Sequence, residues 1–435
     1  MTCNTGSVVA ALWTLVLGPL ASLSADENWP QWRGARLDNK SSEQDLPVQF
    51  DGDRNLVWRV AMPGPGGASP VVWEDQVFVT SVDQQDGIWL ICIGGDGQEQ
   101  WRRQLQGENR DSRDGGNAAS PSPCTDGQHV WATSTAGYLE CFDMDGNPVW
   151  SVDLQDRYGD FAIQFGMTST PVLDQGRLYH QLIHGAMRDR DTTSQGIVAA
   201  IDAATGEEIW RHQRTTQATM ENKHSYASPV IVRDGDWECL VTHGGDYAVG
   251  HSLADGSELW RCGDLNAPEN YNPFLRFVSS PVFSEGMLVV PSAKNGPVLS
   301  LKTGLSGDVT DDSSSRHWKL PAGTPDVATP VVFNGLVFLA RENGALICVD
   351  GKSGEPLLEQ RMFADRHRST PVVADGKLYI AGRDGTIHVV TADRECRVLA
   401  ENRLDEQTLA SPAIADGKIY IRTFEALYCF GNPGS

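Results

Sequence analysis

The sequence predicts an all-β fold, an eight-bladed β-propeller of four-stranded antiparallel blades closed by an N-terminal strand. Three observations carry this prediction. A Ser/Thr-Pro pair ahead of an apolar run recurs eight times. Each copy continues through tight turns rich in Asp-Gly or Asn-Gly, and a Trp sits at the same late position in five of the copies. Four short strands every ~40–50 residues are the mark of a propeller blade.

The eight pairs are Ser69-Pro70, Ser120-Pro121, Thr170-Pro171, Ser228-Pro229, Ser280-Pro281, Thr329-Pro330, Thr370-Pro371 and Ser411-Pro412. A Pro at the first residue of a strand sacrifices no ladder hydrogen bond, so each pair opens an innermost strand. Turns such as Asp375-Gly376 and Asp416-Gly417 join it to a second strand, and Asn343-Gly344 or Asp384-Gly385 joins the second to a third. A further turn leads to a fourth strand bearing Trp101, Trp150, Trp210, Trp260 or Trp318; blades six and seven are read with Leu358 and Leu399 there. At this period the tryptophans are packing between blades. The eighth copy stops at Phe430 after three strands. The stretch from Leu56 to Val60 carries Trp58 in matching register and is expected to supply the missing strand, removing an exposed edge.

Cys92, Cys141, Cys348 and Cys429 share one third-strand position, filled elsewhere by Ala200, Gly250 and Ser300. The position wants a small residue, and equivalent positions in different blades are too far apart to bridge. The eight cysteines that follow the leader are therefore expected to be largely unpaired, and no Cys-x-x-Cys supports zinc or redox chemistry.

The repeat resembles that of the pyrroloquinoline-quinone (PQQ)-repeat propellers. The stretch Ala199-Ala200-Ile201-Asp202-Ala203-Ala204-Thr205-Gly206-Glu207-Glu208-Ile209-Trp210 is similar to their tryptophan-docking motif, and the resemblance covers 56–430. Upstream, Asn28-Trp29-Pro30-Gln31-Trp32-Arg33-Gly34 resembles the mature start of secreted bacterial members. The family implies eight blades and a periplasmic or extracellular setting. It includes quinoprotein dehydrogenases and also non-enzymatic scaffolds, such as the lipoprotein that assists outer-membrane barrel assembly. Fold alone therefore leaves function open.

Acidic residues outnumber basic ones, 57 to 35, for a net charge of −22. Such a surface excludes nucleic acid as a partner class and argues against anionic lipid. The apolar run from Val8 to Leu20 ends in small residues, with cleavage expected after Ser24 or Ala25, although no Lys or Arg precedes it. Its 13 residues are short for a bilayer span; an uncleaved anchor is the alternative. The expected organisation is a signal peptide over 1–25, an N-terminal segment packing on the propeller over 26–55, the propeller over 56–430 and a tail over 431–435. The mature protein is expected to be an exported monomer without a membrane span.

In a meander the loops alternate between two faces. First-to-second and third-to-fourth turns are nearly all short. The other face carries long connections at 106–118, 155–168, 184–196, 213–226 and 264–278, on blades one to five. Long loops in a compact fold usually carry function. They hold Arg110, Arg113, Tyr158, Phe165, Lys223, His224, Tyr226, Tyr271, Arg276 and Phe277, and a short loop opposite adds Arg366, His367 and Arg368. Aromatics mixed with cations suit a protein partner or a small polar ligand.

No cofactor is expected. In PQQ dehydrogenases the resemblance implies a calcium-ligating Glu after a Gly-Ala pair and a vicinal Cys-Cys pair. Here Met187 follows Gly185-Ala186, and no two cysteines adjoin. A thioether cannot replace a carboxylate on a hard cation. Against this stands Ala293-Lys294-Asn295-Gly296, similar to the hairpin that presents a basic residue to the quinone, which makes Lys294 a candidate. Three readings follow: a non-catalytic binding or scaffold module, favoured; a PQQ/calcium-dependent oxidoreductase of alcohols or sugars; and a hydrolase or lyase built from the loop face. Gly64-Pro65-Gly66-Gly67 precedes a strand, so it is no dinucleotide loop, and the metalloprotease motif and nucleophile elbow are both missing.

Overall fold

The computed structural model describes residues 28–110, 115–187, 196–364 and 366–433, with Met1 and Thr2. The apolar run read as an export signal, and Arg113, lie outside the described residues. Those residues form eight antiparallel sheets of four strands in chain order, blade 4 carrying a fifth strand, Gly307–Asp308, beside Glu258–Cys262. No helix among them is long and apolar enough to cross a membrane.

Blade 1 shows the pattern, with strands Val71–Trp73, Gln76–Val82, Ile88–Gly94 and Glu99–Leu105. Its second and third strands are buried nearly throughout, because neighbouring blades cover both faces. Its fourth strand buries only Trp101 and Leu105, because its outer edge meets water. The hydrophobic clusters straddle neighbouring blades, so the core lies in the wedges between them. The ring closes as expected: Leu56–Ala61 pairs with Ala426–Gly431, Trp58 facing Cys429.

The Ser/Thr of the recurring pair has a physical reason. The backbone N–H of Ser69 donates to Ser122 Oγ, Ser122 to Thr170, Thr170 to Ser228, and Ser228 to Ser280. Thr329 donates to Thr370, Thr370 to Ser411, and Ser411 back to Ser69, all seven links at 2.8–3.2 Å. A hydroxyl at this register takes an N–H from one blade while its own backbone N–H serves the next, with the link from Ser280 to Thr329 left open. The ring corrects one assignment. In blade 2 its member is Ser122, ahead of Pro123, and Ser120 instead donates to Asn117 O at 2.7 Å. The run Ser-Pro-Ser-Pro offers both registers, and only the ring selects between them.

The tryptophans dock between blades. Indole N–H groups donate to a carbonyl in the next blade's last turn: Trp58 to Gly95, Trp101 to Met144, Trp150 to Ala203, Trp210 to Leu253 and Trp318 to Gly351, at 2.8–3.1 Å. Each ring lies on that turn's glycine, leaving no room for a Cβ; at Gly354 one would sit 2.6 Å from Trp318 Cγ. The small third-strand position faces the Trp, as in Cys92–Trp101, Cys141–Trp150 and Ala200–Trp210. Trp260 differs: it folds onto Gly250 of its own blade. Blade 7 also corrects the reading. Val389 faces Ala400, so Ala400 holds the Trp register, and Leu399 points outward, 40 % exposed. The connection in blade 7 is one residue longer than in blade 6, where Cys348 faces Leu358, while the bulge after the facing residue is common to both.

The reason blade 7 lacks a Trp is that blade 8 has no last turn to receive one, since the chain closes there. Residues 28–50 fill the gap instead. Asn402 Nδ2 donates to Val48 O, Phe50 N donates to Asn402 Oδ1, and Phe50 lies 4.6 Å from Phe430. Upstream, this segment crosses the short-turn face from blade 1 to blade 8. Trp29 pairs with Val72, and Gln31 exchanges hydrogen bonds with Leu173. Arg33 donates to Pro229 O and Pro281 O, and Ser41 N donates to Val373 O. It plugs the central channel from that side. Both described ends lie on the same face: Asn28 accepts from Glu74 N, and Gly431 N donates to Asn55 O.

Candidate functional site

With one end plugged, the channel opens only at the long-loop face. Its collar is built by the residues two positions before each Ser/Thr of the ring: Gly67, Ser120, Thr168, Tyr226, Val278, Val327, Arg368 and Leu409. Trp32, from the plug, also lines this space, together with ring hydroxyls. Above the collar a cavity of about 140 Å³ adds Phe165, Arg276, Asp326 and Glu342.

The charges at this mouth are organised in pairs. Arg276 Nη1 is 3.0 Å from Glu221 Oε1, and its guanidinium lies over the Phe165 ring at 5.1 Å. Phe165 in turn packs on Tyr226, ring centres 5.9 Å apart. Across the mouth Glu342 accepts from Arg368 Nε and Nη2 at 3.1 and 3.0 Å, with Arg366 Nη1 at 3.8 Å. Burial pushes the Asp326 carboxyl above its usual value, and Glu342 beside it adds to that; the N–H of Lys294, 3.0 Å from Oδ1, opposes both. The mouth thus offers paired charges, aromatic faces and an apolar collar. These are the features of recognition surfaces.

The structure gathers some of the expected residues here. Phe165, Tyr226, Arg276 and Arg368 line the mouth, and Arg366 reaches it through Glu342. Lys294 stands on the rim, its Nζ donating to the carbonyl of Phe274, a ring left 54 % exposed. Arg110 lines a separate groove of about 450 Å³ with Tyr138, Gln155 and Phe161. Tyr158 ends the short helix Leu154–Tyr158 and packs between blades 2 and 3.

Other residues were expected in solvent and are buried or, for Tyr271, half-buried. Lys223 and His224 are each 2 % exposed, donating to Ala186 O and hydrogen-bonding Gly185 O. Phe277 packs edge-on against His243, and His367 stacks on Phe363. Tyr271 donates to Asp246 and accepts from Thr219 N and Asn222, tying two loops together. The physical reason is that loops this long pack on their own side chains. Burial also lowers the His224 imidazole and takes His367 down to about 3, so neither is a cation at neutral pH. Asp326, Glu342, Thr168, Val278, Val327, Leu409 and Trp32 were not anticipated. The collar at least was open to reading, by stepping two residues back from each Ser/Thr-Pro.

In the stretch Gly185-Ala186-Met187 no carboxylate follows the Gly-Ala pair. The Lys223 side chain packs against Gly185, and its Nζ donates to the Ala186 carbonyl at 3.3 Å. A donor there is the wrong partner for a cation. Among the described residues, no three His, Cys, Asp or Glu side chains gather as a metal site.

A family model described as outer membrane protein assembly factor BamB matches residues 89–355 and 305–421. No curated protein matches the sequence. Among solved structures, BamB from Moraxella catarrhalis is 12 % identical with a TM-score of 0.63, over 86 % of this chain and 99 % of its own. The quinohemoprotein alcohol dehydrogenase of Comamonas testosteroni is 13 % identical with the same TM-score, over 95 % of this chain and 82 % of its own. A computationally designed protein, Ika8, is 11 % identical with a TM-score of 0.58, over 91 % and 99 %. At these identities the likeness is one of fold.

Proposed function

This chain belongs to the PQQ-repeat propeller family described as outer membrane protein assembly factor BamB, and from that premise we propose that it is a non-catalytic binding or scaffold module. The mouth on the long-loop face receives a segment of a protein partner. The observation that carries this reading is the channel itself, plugged at one end and opening at the other into a collar flanked by paired arginines and aromatic rings. The cavity of about 140 Å³ suits one or two side chains of a partner; whole small ligands occupy roughly 300–1,000 Å³. The rim supplies the larger contact through Phe274, Lys294 and Arg366. The protein acts as an exported monomer, with a mature start near Asp26 that N-terminal sequencing checks. No PQQ chemistry is assigned to it, since Met187 and not a carboxylate follows Gly185-Ala186.

Photo-crosslinking groups at Phe274 and Arg366, compared with groups at Gln128 and Glu355 on the opposite face, test the reading. Adducts with a protein are expected from the first pair alone. Adducts from the second pair alone would reverse the face assignment. Dye-linked oxidation of alcohols or sugars after loading with PQQ and Ca²⁺, lost in Lys294→Ala, would overturn the scaffold reading.

A further inference from the structure

The interface between blades 6 and 7 departs from the docking rule at both of its ends. Leu358 stands opposite Cys348, where blades 1 to 5 carry Trp. In the receiving turn of blade 7, Cys396 takes the place of the docking glycine. Two features fix that equivalence. Cys396 has φ 45°, in the left-handed region that Gly146, Gly206 and Gly354 occupy at 78°, 74° and 76°. Gln360 Nε2, two residues beyond Leu358, donates to Cys396 O at 2.7 Å, as Arg103 Nε, two beyond Trp101, donates to Gly146 O at 2.5 Å. The space an indole would fill is left to two thiols. Cys348 Sγ and Cys396 Sγ lie 3.9 and 3.2 Å from the same oxygen, Asp393 O, so one backbone carbonyl gathers both thiols. Both residues are fully buried.

We propose that Cys348 and Cys396 form a disulfide between blades 6 and 7 in place of the missing tryptophan dock. The co-reactant is a disulfide, either a small one such as oxidised glutathione or that of an oxidoreductase. The Cys348 thiolate attacks one of its sulfurs and releases one thiol. Cys396, as thiolate, then attacks the mixed disulfide at the Cys348 sulfur and releases the second. Two cysteine thiols and one disulfide become one protein disulfide and two thiols, so atoms and electrons balance. The two cysteines can exchange these roles without altering the balance. Burial in the finished fold places the exchange in the folding chain or a locally opened interface. In the finished fold Cys92, Cys141 and Cys429 each face a Trp across the sheet, so an indole and not a second thiol stands opposite them.

The test refolds the full chain in a glutathione redox buffer, then denatures and alkylates it without reductant. Six of the eight described cysteines are expected to alkylate, and a peptide pair joined through Cys348 and Cys396 is expected by mass spectrometry. A reductant should then lower the melting midpoint of the wild type by several degrees and leave Cys396→Ser unmoved. Eight alkylated thiols, or a bridge through any other pair, overturns the proposal. So does a wild-type midpoint that ignores the reductant.

Discussion

Placing Ala at Gly354 separates two costs that the structure keeps apart. Gly354 and Gly335 lie in the same blade with φ of 76° and 70°, so an Ala at either suffers the same left-handed strain. That strain is about 1 kcal/mol. Around Gly335 a Cβ would meet nothing within 4 Å, whereas at Gly354 it would meet Trp318 Cγ at 2.6 Å and Cβ at 2.7 Å. Forcing a packed indole aside adds about 1–3 kcal/mol. Gly335→Ala should therefore cost about 1 kcal/mol, and Gly354→Ala about 2–4 kcal/mol. Urea unfolding followed by tryptophan fluorescence gives both values. Trp318→Leu reproduces the arrangement found at the next interface, where Leu358 faces a turn with Cys396 in the glycine position. In that background Gly354→Ala should fall back to the cost of strain alone, a coupling of about 1–3 kcal/mol. Equal losses at the two glycines, or additive behaviour in the double variant, would refute docking as the reason for the glycine.

Acid should destabilise the fold through its buried histidines. Burial lowers His180 and His184 to about 4, and His243, His251 and His367 to about 3, from 6.5. A depressed folded value means that the unfolded chain binds more protons, so stability is full above pH 6.5 and falls toward pH 4. Each histidine contributes up to about 1.4 kcal/mol per pH unit. A urea midpoint unchanged between pH 7 and pH 5 would contradict this. Arg33→Ala should leave the carbonyls of Pro229 and Pro281 without a donor, at about 1–3 kcal/mol each, and open residues 28–50 to limited proteolysis. Arg276→Ala should cost stability no more than about 1 kcal/mol, since its pair with Glu221 is partly exposed, while weakening partner capture tenfold or more in a binding titration.

What could be read from the sequence was what repeats. The Ser/Thr-Pro pair, the Trp register and the closing strand each recur at fixed offsets, so one blade predicts the next. Errors arose where a blade offers two registers. Ser120 and Ser122 share a Ser-Pro run, and a turn one residue longer puts Ala400 where Leu399 was expected. The candidate site was less legible, because long loops have no period. Nothing local tells Lys223, sealed under Gly185, from Lys294, standing on the rim. Asp326 and Glu342 come from short connections in blades 5 and 6 and meet only around the axis, a closeness set by the ring. Cys396 escaped the cysteine alignment because it lies in a turn, away from the shared third-strand position.

Ring closure has a consequence for handling the molecule. Asn28 and Gly431 both emerge on the plugged face, so a tether at either end, whether a lipid, a fused domain or a sensor surface, holds the propeller with its mouth turned outward. Orientation is then a property of the closing blade, and partners arriving from solution would meet the same unobstructed side of every immobilised copy.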